Sequence, residues 1–469
     1  LNLMTFSVSC TGAAKKNMRF FRLPLAFVCL LDLSNAALIR HTGMRGSSVR
    51  ATPSTLAMKL ADNGILGVGI IGAGRIGLVH LEALSQCESA NAVIISNPTV
   101  SKAEAAAAKY KVSEFSGDAM EVINHPDVEA VWICSPSQFH ADQIKACAAQ
   151  GKHVFCEKPI ATDLPETIEA INRCNEAGIK LMTALQRRFD PNFKRVKVAI
   201  ENGEVGETVQ IKLCSRDPAP PPFEYVKGGG GIFKDMAVHD LDMARFLMGC
   251  EPVEIMASGS CNIDKSINVL PGPEAFDTAT VLMRFENGKE AMIDVCRQAP
   301  YGYDQRAEVL GQKAMIMTDN TYPNTARIFS ADFTGNADMP YDFFMSRYKE
   351  AYVQETLAFV NCLVKDEPAP CSGEDGLIAL VMAIAAGMSA EERRWVKFSE
   401  LAPQLCALSS DLGVSSLTPE ECAVELTSET GALNFAQLGG SLDFASSTKK
   451  AADKTRNALA SLFGGFNKD

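Results

Sequence analysis

A continuous apolar run that leads directly into a glycine-rich turn constrains the fold of this chain more than any other feature. Residues 65–71 have the pattern of a buried parallel strand, and Gly72-Ala73-Gly74-Arg75-Ile76-Gly77 follows at once. A helix-like pattern comes next. In this setting the first glycine allows a tight turn, the second lets backbone approach a pyrophosphate, and the third permits close helix–strand packing. The segment therefore predicts a dinucleotide site at a helix N-terminus.

Strand-like and helix-like segments alternate after this turn. Short apolar runs lie at 93–95, 128–134, 154–156 and 180–184, and helix-like patterns cover 103–110, 144–149 and 167–177. This alternation is typical of parallel sheets covered by helices. It predicts a doubly wound α/β domain, to which we assign residues 61–185.

The alternation of strand-like and helix-like segments ends after residue 190. One helix-like segment, 193–202, precedes strand-like runs at 208–214, 253–260, 278–285, 291–295 and 306–310, and helix-like patterns follow at 348–364 and 376–393. Glycine-containing turns separate several of the runs. Residues 186–400 are therefore predicted to form an α+β domain with a large, mostly antiparallel sheet.

The N-terminal 60 residues differ from the rest in charge, with eight Lys or Arg and a single acidic residue, Asp32. A basic start, an apolar run over 23–31 and small residues over 34–37 have the layout of a cleaved signal peptide, too short to span a membrane. Residues 41–59 then resemble a transit peptide. We expect residues 1–60 to be a bipartite plastid presequence. The alternative is that this segment is an artefactual upstream translation, since residue 1 is Leu, and that the protein is cytoplasmic.

Charge and cysteine spacing exclude other classes. The net charge of −11, without a basic stripe in the body, argues against nucleic acid as a partner. The 15 cysteines are scattered and form no CxxC pair, so we expect no metal site. No membrane contact is expected of the mature form. The tail, 401–469, carries no recognisable chemistry, and we assign it no role.

A lysine follows the apolar run 154–156, in the segment Glu157-Lys158-Pro159. The carboxyl ends of strands in open α/β sheets face the ligand crevice. A lysine placed there can stabilise negative charge on a substrate oxygen as its proton leaves. The alternative is a surface ion pair between Lys158 and its neighbour Glu157.

Asp235 and His239 are four residues apart, so on a helix they share a face. Histidine can accept a proton near neutral pH, and a carboxylate one turn away can fix its tautomer or bind substrate. Two other interpretations stand beside this one. Asp235 is a plausible N-cap after the glycines 228–231, and His239 can be a satisfied core histidine. Spacing alone does not separate them.

The position about 20 residues past the glycine turn, where dinucleotide sites carry an acidic residue, holds Asn97. An amide can hydrogen-bond a ribose hydroxyl but has no charge to repel a 2′-phosphate. NAD and NADP therefore both remain as cofactors. Asn97 can also be a simple turn residue before Pro98.

Taken together, these segments resemble the glucose–fructose oxidoreductase/inositol dehydrogenase (Gfo/Idh/MocA) family over roughly residues 65–400. The motifs that carry the resemblance are the glycine turn, Ser135-Pro136 with His140, Glu157-Lys158-Pro159, Gly230 to Met236, His239 to Arg245, Tyr301 to Arg306, Glu350 to Val353 and Gly373 to Gly376. The stretch from Asp235 to Asp240 is more specific to the inositol branch. The resemblance implies a Rossmann nucleotide domain, and often a cis peptide before Pro159.

The resemblance also implies site residues. The catalytic set would be Lys158, Asp235 and His239. The cofactor would lie at Gly72, Gly74, Arg75, Ile76, Gly77, Asn97, Ser135, Pro136, His140 and Glu157. Arg187, Arg188, Asp217 and Tyr303 would lie near the substrate.

The activity implied is NAD(P)-dependent oxidation of a secondary hydroxyl of a cyclic polyol, myo-inositol or a close isomer, to the ketone. A homo-oligomer, dimer or tetramer, is implied as well. The alternatives are a relative that acts on another sugar or a dihydrodiol, and an NAD-dependent glycoside hydrolase. Net reduction of added NAD separates a dehydrogenase from such a hydrolase.

Overall fold

The computed structural model describes residues 64–403, 405, 406, 427 and 433. The predicted presequence, 1–60, lies outside the described residues, and so does most of the tail from residue 401 onward.

The first part of the described chain folds into a six-stranded parallel sheet. Its strands are β1 (Leu66–Ile71), β2 (Ala90–Ser96), β3 (Glu114–Ser116), β4 (Ala130–Ile133), β5 (His153–Glu157) and β6 (Leu181–Ala184), and its helices are α1 (Arg75–Leu84), α2 (Val100–Tyr110), α3 (Ala119–Asn124), α4 (His140–Ala149) and α5 (Leu164–Ala177). The strand order is β3-β2-β1-β4-β5-β6, so it reverses between β1 and β4. Ligands of open α/β sheets bind at such a reversal, outside the carboxyl ends of the strands. The predicted doubly wound parallel sheet is confirmed.

The second part forms a seven-stranded sheet with helices. In chain order it contains α6 (Pro191–Glu201), β7 (Thr208–Arg216), α7 (Phe223–Gly229), a π-helical turn (Phe233–Ala237), α8 (Val238–Met248), β8 (Pro252–Ser260), β9 (Thr278–Phe285), β10 (Glu290–Cys296), β11 (Asp304–Gly311), β12 (Met315–Thr318), β13 (Arg327–Ile328), β14 (Asn336–Ala337), α9 (Phe344–Arg347), α10 (Lys349–Lys365), α11 (Gly373–Glu392) and β15 (Val396–Lys397). The sheet order is β12-β11-β7-β10-β9-β8-β15. β7 and β10 run parallel and the other neighbours antiparallel, which confirms a mostly antiparallel sheet.

This second sheet has one covered face and one open face. Helices α8 and α11 pack on the covered face, where Val281 and Ile293 are fully buried. Side chains of the opposite face include Met292 and Leu310, which are both more than a third exposed. Alternation of buried and exposed positions along the strands produces this pattern, as in antiparallel sheets that are solvated on one side.

The two long C-terminal helices return to the first sheet. Trp132 and Phe155 of that sheet stack with ring centroids 5.2 Å apart, and Phe359 of α10 lies 5.5 Å from Trp132. The N–H of Thr183 in β6 donates to the Cys371 carbonyl just before α11. Helix α11 is long and apolar enough to cross a membrane by length and composition alone. Most of it is buried between the two sheets, which is the ordinary setting of a core helix.

Some short elements were not predicted. Strand β3 has three residues, of which only Ser116 is buried, and the small hairpin of β13 and β14 is exposed throughout. Neither has enough buried apolar residues to show a period in the sequence.

Candidate active site

The glycine turn between β1 and α1 is packed on one side and open on the other. Gly72 has a φ of +108°, and a Cβ on Gly77 would lie 1.9 Å from the Gly72 carbonyl oxygen. By contrast, nothing lies within 4 Å of the position that a Cβ on Gly74 would take. Gly74 is also the N-cap of α1 and offers it no side-chain hydrogen bond, while Arg75 and Ile76 form the first turn. The helix N-terminus is therefore accessible to a pyrophosphate, and the turn fits a dinucleotide.

Asn97 lies directly after β2 and bonds to the glycine turn. Its Oδ1 accepts from the Ala73 N–H at 3.1 Å, and its Nδ2 donates to the Thr99 carbonyl at 3.1 Å. Asn97 thus acts as a turn residue in the structure. It also stands at the strand end where dinucleotide sites hold the ribose.

His140 connects two loops at the carboxyl edge of the sheet. Its ring nitrogens lie 2.7 Å from the Ser135 carbonyl oxygen and 2.7 Å from the Pro159 carbonyl oxygen. A carbonyl only accepts, so in either neutral tautomer the ring donates to one of the two carbonyls and contacts the other. The Ser135 hydroxyl donates to Gln143 at 2.6 Å, and Pro136 precedes a short 3₁₀ turn. His140 therefore ties the end of β4 to the turn that carries Lys158.

Glu157 ends β5 and turns toward α1. Its Oε1 lies 2.7 Å from Nε2 of the fully buried His80, and its Oε2 accepts from the Lys158 N–H. Glu355 of α10 is buried nearby, and neither of its oxygens has a hydrogen-bond partner among the described residues. Burial, and then the charge of Glu157, raises the pKa of Glu355 well above its usual range. Glu355 is therefore held as a neutral acid.

Lys158 reaches across to a segment 77 residues further along the chain. Its Nζ donates to the Asp235 carbonyl at 2.9 Å and lies 3.6 Å from Asp235 Oδ1. The Lys158–Pro159 peptide is cis. Lys158 is thus not paired with its neighbour Glu157, and the alternative of a local surface ion pair is wrong. The structure brings together the two motifs that the sequence singled out.

Asp235 lies inside the π-helical turn, and its carboxylate accepts from two residues that the sequence did not reveal. The Tyr225 hydroxyl donates to Oδ1 at 2.9 Å, and Arg297 Nη1 donates to Oδ2 at 3.1 Å. Asp235 caps no helix, so the N-cap interpretation is wrong. Its carboxylate does not bond to His239, and the expected pairing of the two is corrected: a π turn holds more residues than an α turn, so positions four apart do not align.

His239 is the second residue of α8 and is partly buried, and within the described chain its Nδ1 is buried without a hydrogen-bond partner. It is therefore no satisfied core histidine. Burial, and then the charges of Lys158 and Arg187, lowers the pKa of His239 well below its usual range. The imidazole is neutral at pH 7 and can accept a proton, which is the condition for a general base.

The predicted substrate residues fall into two groups. Arg188 is buried and donates to the carboxylates of Asp242 and Asp375, so the prediction that it contacts the polyol finds no support in its contacts. Arg187 is buried as well and donates to Asp240 at 2.7 Å and to Ser215 at 3.0 Å.

Asp217 and Tyr303 form the second group. Asp217 follows β7, and burial raises the pKa of its carboxyl to about 6 although the charge of Arg297 lowers it. Tyr303 is buried, with its ring edge-on to Tyr348 at 6.2 Å. The charges of Arg187 and Asp217 both act on Tyr303, so these side chains surround one polar region.

Tyr225 and Arg297 were missed because nothing in their local sequence marks them. Tyr225 belongs to the short helix α7 after a proline-rich stretch, and Arg297 follows β10 directly. Knowing that β7 and β10 are parallel neighbours would have placed Arg297 beside Asp217. Among the residues with described positions, no group of three or more His, Cys, Asp or Glu is arranged to hold a metal ion.

Comparisons with known proteins agree with this geometry. A model described as an oxidoreductase family with an NAD-binding Rossmann fold matches residues 66–185, and a GFO/IDH/MocA C-terminal domain model matches residues 193–317. The chain is 41% identical over 335 residues to myo-inositol 2-dehydrogenase of Thermotoga maritima, covering 71% of this chain and 99% of the relative. It is 41% identical over 332 residues to inositol 2-dehydrogenase of Rhizobium meliloti, covering 71% of this chain and 98% of the relative.

A solved structure has a similar fold. Scyllo-inositol dehydrogenase from Lactobacillus casei, with bound cofactor NAD(H) and scyllo-inositol, superposes with a TM-score of 0.66 at 27% identity. The superposition covers 71% of this chain and 99% of that protein.

Proposed function

The chain belongs to the GFO/IDH/MocA oxidoreductase family, and on that premise we propose that it oxidises a secondary hydroxyl of myo-inositol, or of a close isomer, to the ketone. It is an NAD-dependent dehydrogenase acting on CH–OH. The observation that carries the substrate proposal is the contact between Lys158 and Asp235 beside His239, at the carboxyl edge of the nucleotide-binding sheet.

The protein groups have separate tasks in the oxidation. His239 accepts the hydroxyl proton, because its lowered pKa keeps the ring neutral at pH 7. The Lys158 ammonium stabilises the negative charge that develops on the substrate oxygen. Bound NAD supplies the acceptor for the hydride of the carbinol carbon. In the reverse direction the same groups would reduce the ketone.

Asp235 positions Lys158 and presents acceptors to the polyol. Among the described residues, the Asp235 carboxylate accepts hydrogen bonds from Tyr225 and Arg297 and forms an ion pair with Lys158. A carboxylate has lone pairs beyond those three contacts, so it can also accept from a substrate hydroxyl. This replaces the expected role of fixing the tautomer of His239.

For the cofactor we propose NAD rather than NADP. The NAD-binding description of the family model supports this choice. Asn97, at the ribose end of the glycine turn, can bond a 2′-hydroxyl, but it has no charge to exclude a 2′-phosphate, and its amide is partly engaged by Ala73 and Thr99.

The experiment that tests the substrate proposal is a panel of inositol isomers, open polyols and glycosides with NAD and with NADP, followed at the nicotinamide absorbance. We expect net reduction of NAD with myo-inositol or another inositol and much slower reaction with NADP. Efficient oxidation of an open polyol without reaction of any inositol would overturn the proposal. Glycoside cleavage without net NAD reduction would identify the hydrolase alternative instead.

Two further proposals concern assembly and address. We propose a homo-oligomer in which the open face of the second sheet, with Met292 and Leu310, is covered by another copy. A monomer by light scattering would contradict it.

We propose that residues 1–60 direct the protein to a plastid, because of their basic and acid-poor composition. A fluorescent protein fused after this segment should enter plastids, and a diffuse cytosolic signal would contradict the proposal.

A further inference from the structure

Arg297 is a buried charge that the oxidation described above does not use. It is 1% exposed, and its one side-chain hydrogen bond in the described chain is the bond from Nη1 to Asp235. Its Nε and Nη2 are buried and have no partner among the described residues. Burying a guanidinium with two unsatisfied donors is unfavourable for folding. A side chain held at such cost needs a reason other than stability.

The sheet places Arg297 beside Asp217. Strands β7 and β10 are parallel neighbours, and their last paired residues are Arg216 and Cys296. The next residues, Asp217 and Arg297, therefore leave the sheet side by side. The Arg297 N–H donates to the Asp277 carbonyl at 2.8 Å, and the Asp217 N–H donates to the Cys296 carbonyl at 2.9 Å. Both backbones are thus fixed, and from there the Arg297 side chain reaches Asp235 in the π-helical turn.

We propose that Arg297 is a positioning residue of the dehydrogenation, which holds Oδ2 of Asp235 so that Oδ1 faces Lys158, and which stands beside Asp217 as a positive neighbour. Arg297 acts on the substrate only through Asp235, because its own side chain is buried. The inference rests on the proposed function in one respect, that this site oxidises a polyol.

The charged and titratable neighbours determine what removal of Arg297 does. Asp235 faces Lys158, Arg297 and the Tyr225 hydroxyl. Asp217 is acted on by Arg297 and Arg187, which favour its ionised form, and by Asp235 and Asp240, which oppose it. His239 is acted on by Lys158 and Arg187. Loss of Arg297 therefore removes the positive charge beside Asp235 and Asp217. It leaves in place the two charges that act on His239, those of Lys158 and Arg187.

The test compares the variants Arg297→Met and Arg297→Lys with a matched control, Arg245→Met. Arg245 is also a mostly buried arginine, but it pairs with Glu251 and Asp375 away from the site. We expect Arg297→Met to lower kcat/KM for the polyol on the order of 10-fold or more, with unchanged NAD affinity. The acid limb of its pH–rate profile should move to higher pH by about one unit, because the Asp217 carboxyl takes up a proton more readily without the guanidinium.

The conservative variant separates charge from geometry. Arg297→Lys should keep the acid limb near its wild-type position, yet lose rate because an ammonium lacks the planar fork of a guanidinium. Arg245→Met should lower the melting temperature and leave the limb in place. An Arg297→Met protein with wild-type rate and limb would overturn the inference, and so would a limb that moves equally in Arg297→Lys.

A readout without turnover keeps this test separate from that of the proposed function. In protein with isotope-labelled aspartate, the Asp217 signal, assigned with Asp217→Asn, should titrate near pH 6 in the wild type. It should titrate at higher pH in Arg297→Met, or in Arg297→Gln if the Met variant does not fold. An unchanged midpoint would overturn the inference even if no polyol is oxidised. Failure of the wild type with every polyol, with a shifted midpoint, would overturn the proposed function alone.

Discussion

Two alanine substitutions in the glycine turn should separate stability from cofactor binding: one should lower stability, and the other should weaken NAD binding. At Gly77 a Cβ would lie 1.9 Å from the Gly72 carbonyl oxygen, whereas at Gly74 nothing lies within 4 Å. Gly77→Ala is therefore expected to damage the fold of the turn. Gly74→Ala is expected to leave the fold intact and to place a methyl group where the pyrophosphate would pass.

The magnitudes follow from these distances. Ordinary contact begins near 3.4 Å, so the Gly77 methyl group must displace its neighbours by about 1.5 Å. Overpacking of this kind costs about 1–3 kcal/mol, which lowers the melting temperature on the order of 5 °C. Gly74 has φ −80° and ψ −174°, which alanine adopts freely. Alanine lowers the entropy of the unfolded chain, which stabilises the fold, and it is a weaker N-cap than glycine, which destabilises it. Each effect is below about 1 kcal/mol, so the two nearly cancel.

The assay is melting of the ligand-free proteins together with calorimetric titration of NAD. We expect Gly74→Ala to melt as the wild type does and to bind NAD at least about 10-fold more weakly, or about 1.4 kcal/mol. Gly77→Ala should melt at a lower temperature. Wild-type NAD affinity in Gly74→Ala would show that the turn does not hold the pyrophosphate, and an unchanged melting temperature in Gly77→Ala would refute the steric reasoning.

Four other substitutions test the remaining parts of the site. Lys158→Met should lose on the order of 100-fold in kcat with little change in NAD affinity, and near-normal turnover would exclude a catalytic role. His239→Ala should lose on the order of 100-fold in kcat without a fall in melting temperature; an unstable variant whose folded fraction stays active would point to a structural role instead. Asn97→Asp should lower kcat/KM with NADP relative to NAD, because a carboxylate repels a 2′-phosphate, and an unchanged ratio would place Asn97 away from the ribose. Burial raises the pKa of Glu355 in the folded protein, while the unfolded chain loses this proton near pH 4.5, so the folded state loses stability as the pH rises above that value. Glu355→Gln removes this loss and should melt higher than the wild type, by a margin that grows from pH 5 to pH 8. A constant margin would refute the buried neutral acid.

Local sequence patterns determined the first domain and several positions at its edge. Apolar runs broken by turns predict strands wherever the sheet buries both faces, as for β1, in which all six residues are buried. The glycine turn was predictable because Gly72 and Gly77 answer steric demands of the adjacent backbone, while Gly74 leaves the helix N-terminus open. Lys158 was predictable because the end of a parallel strand faces the crevice. Short exposed elements such as β3 escaped prediction, since burial is what creates the pattern.

Only the tertiary structure decided the partners of the charged side chains. Asp235 bonds to Tyr225 and Arg297, and not to His239, because a π-helical turn changes the alignment assumed for an α-helix. Arg188 serves an ion-pair network with Asp242, although the family resemblance implied a substrate contact. Spacing along a helix determines which residues share a face. The residue that meets that face comes from a distant segment and is set by sheet order and register, which no local pattern contains.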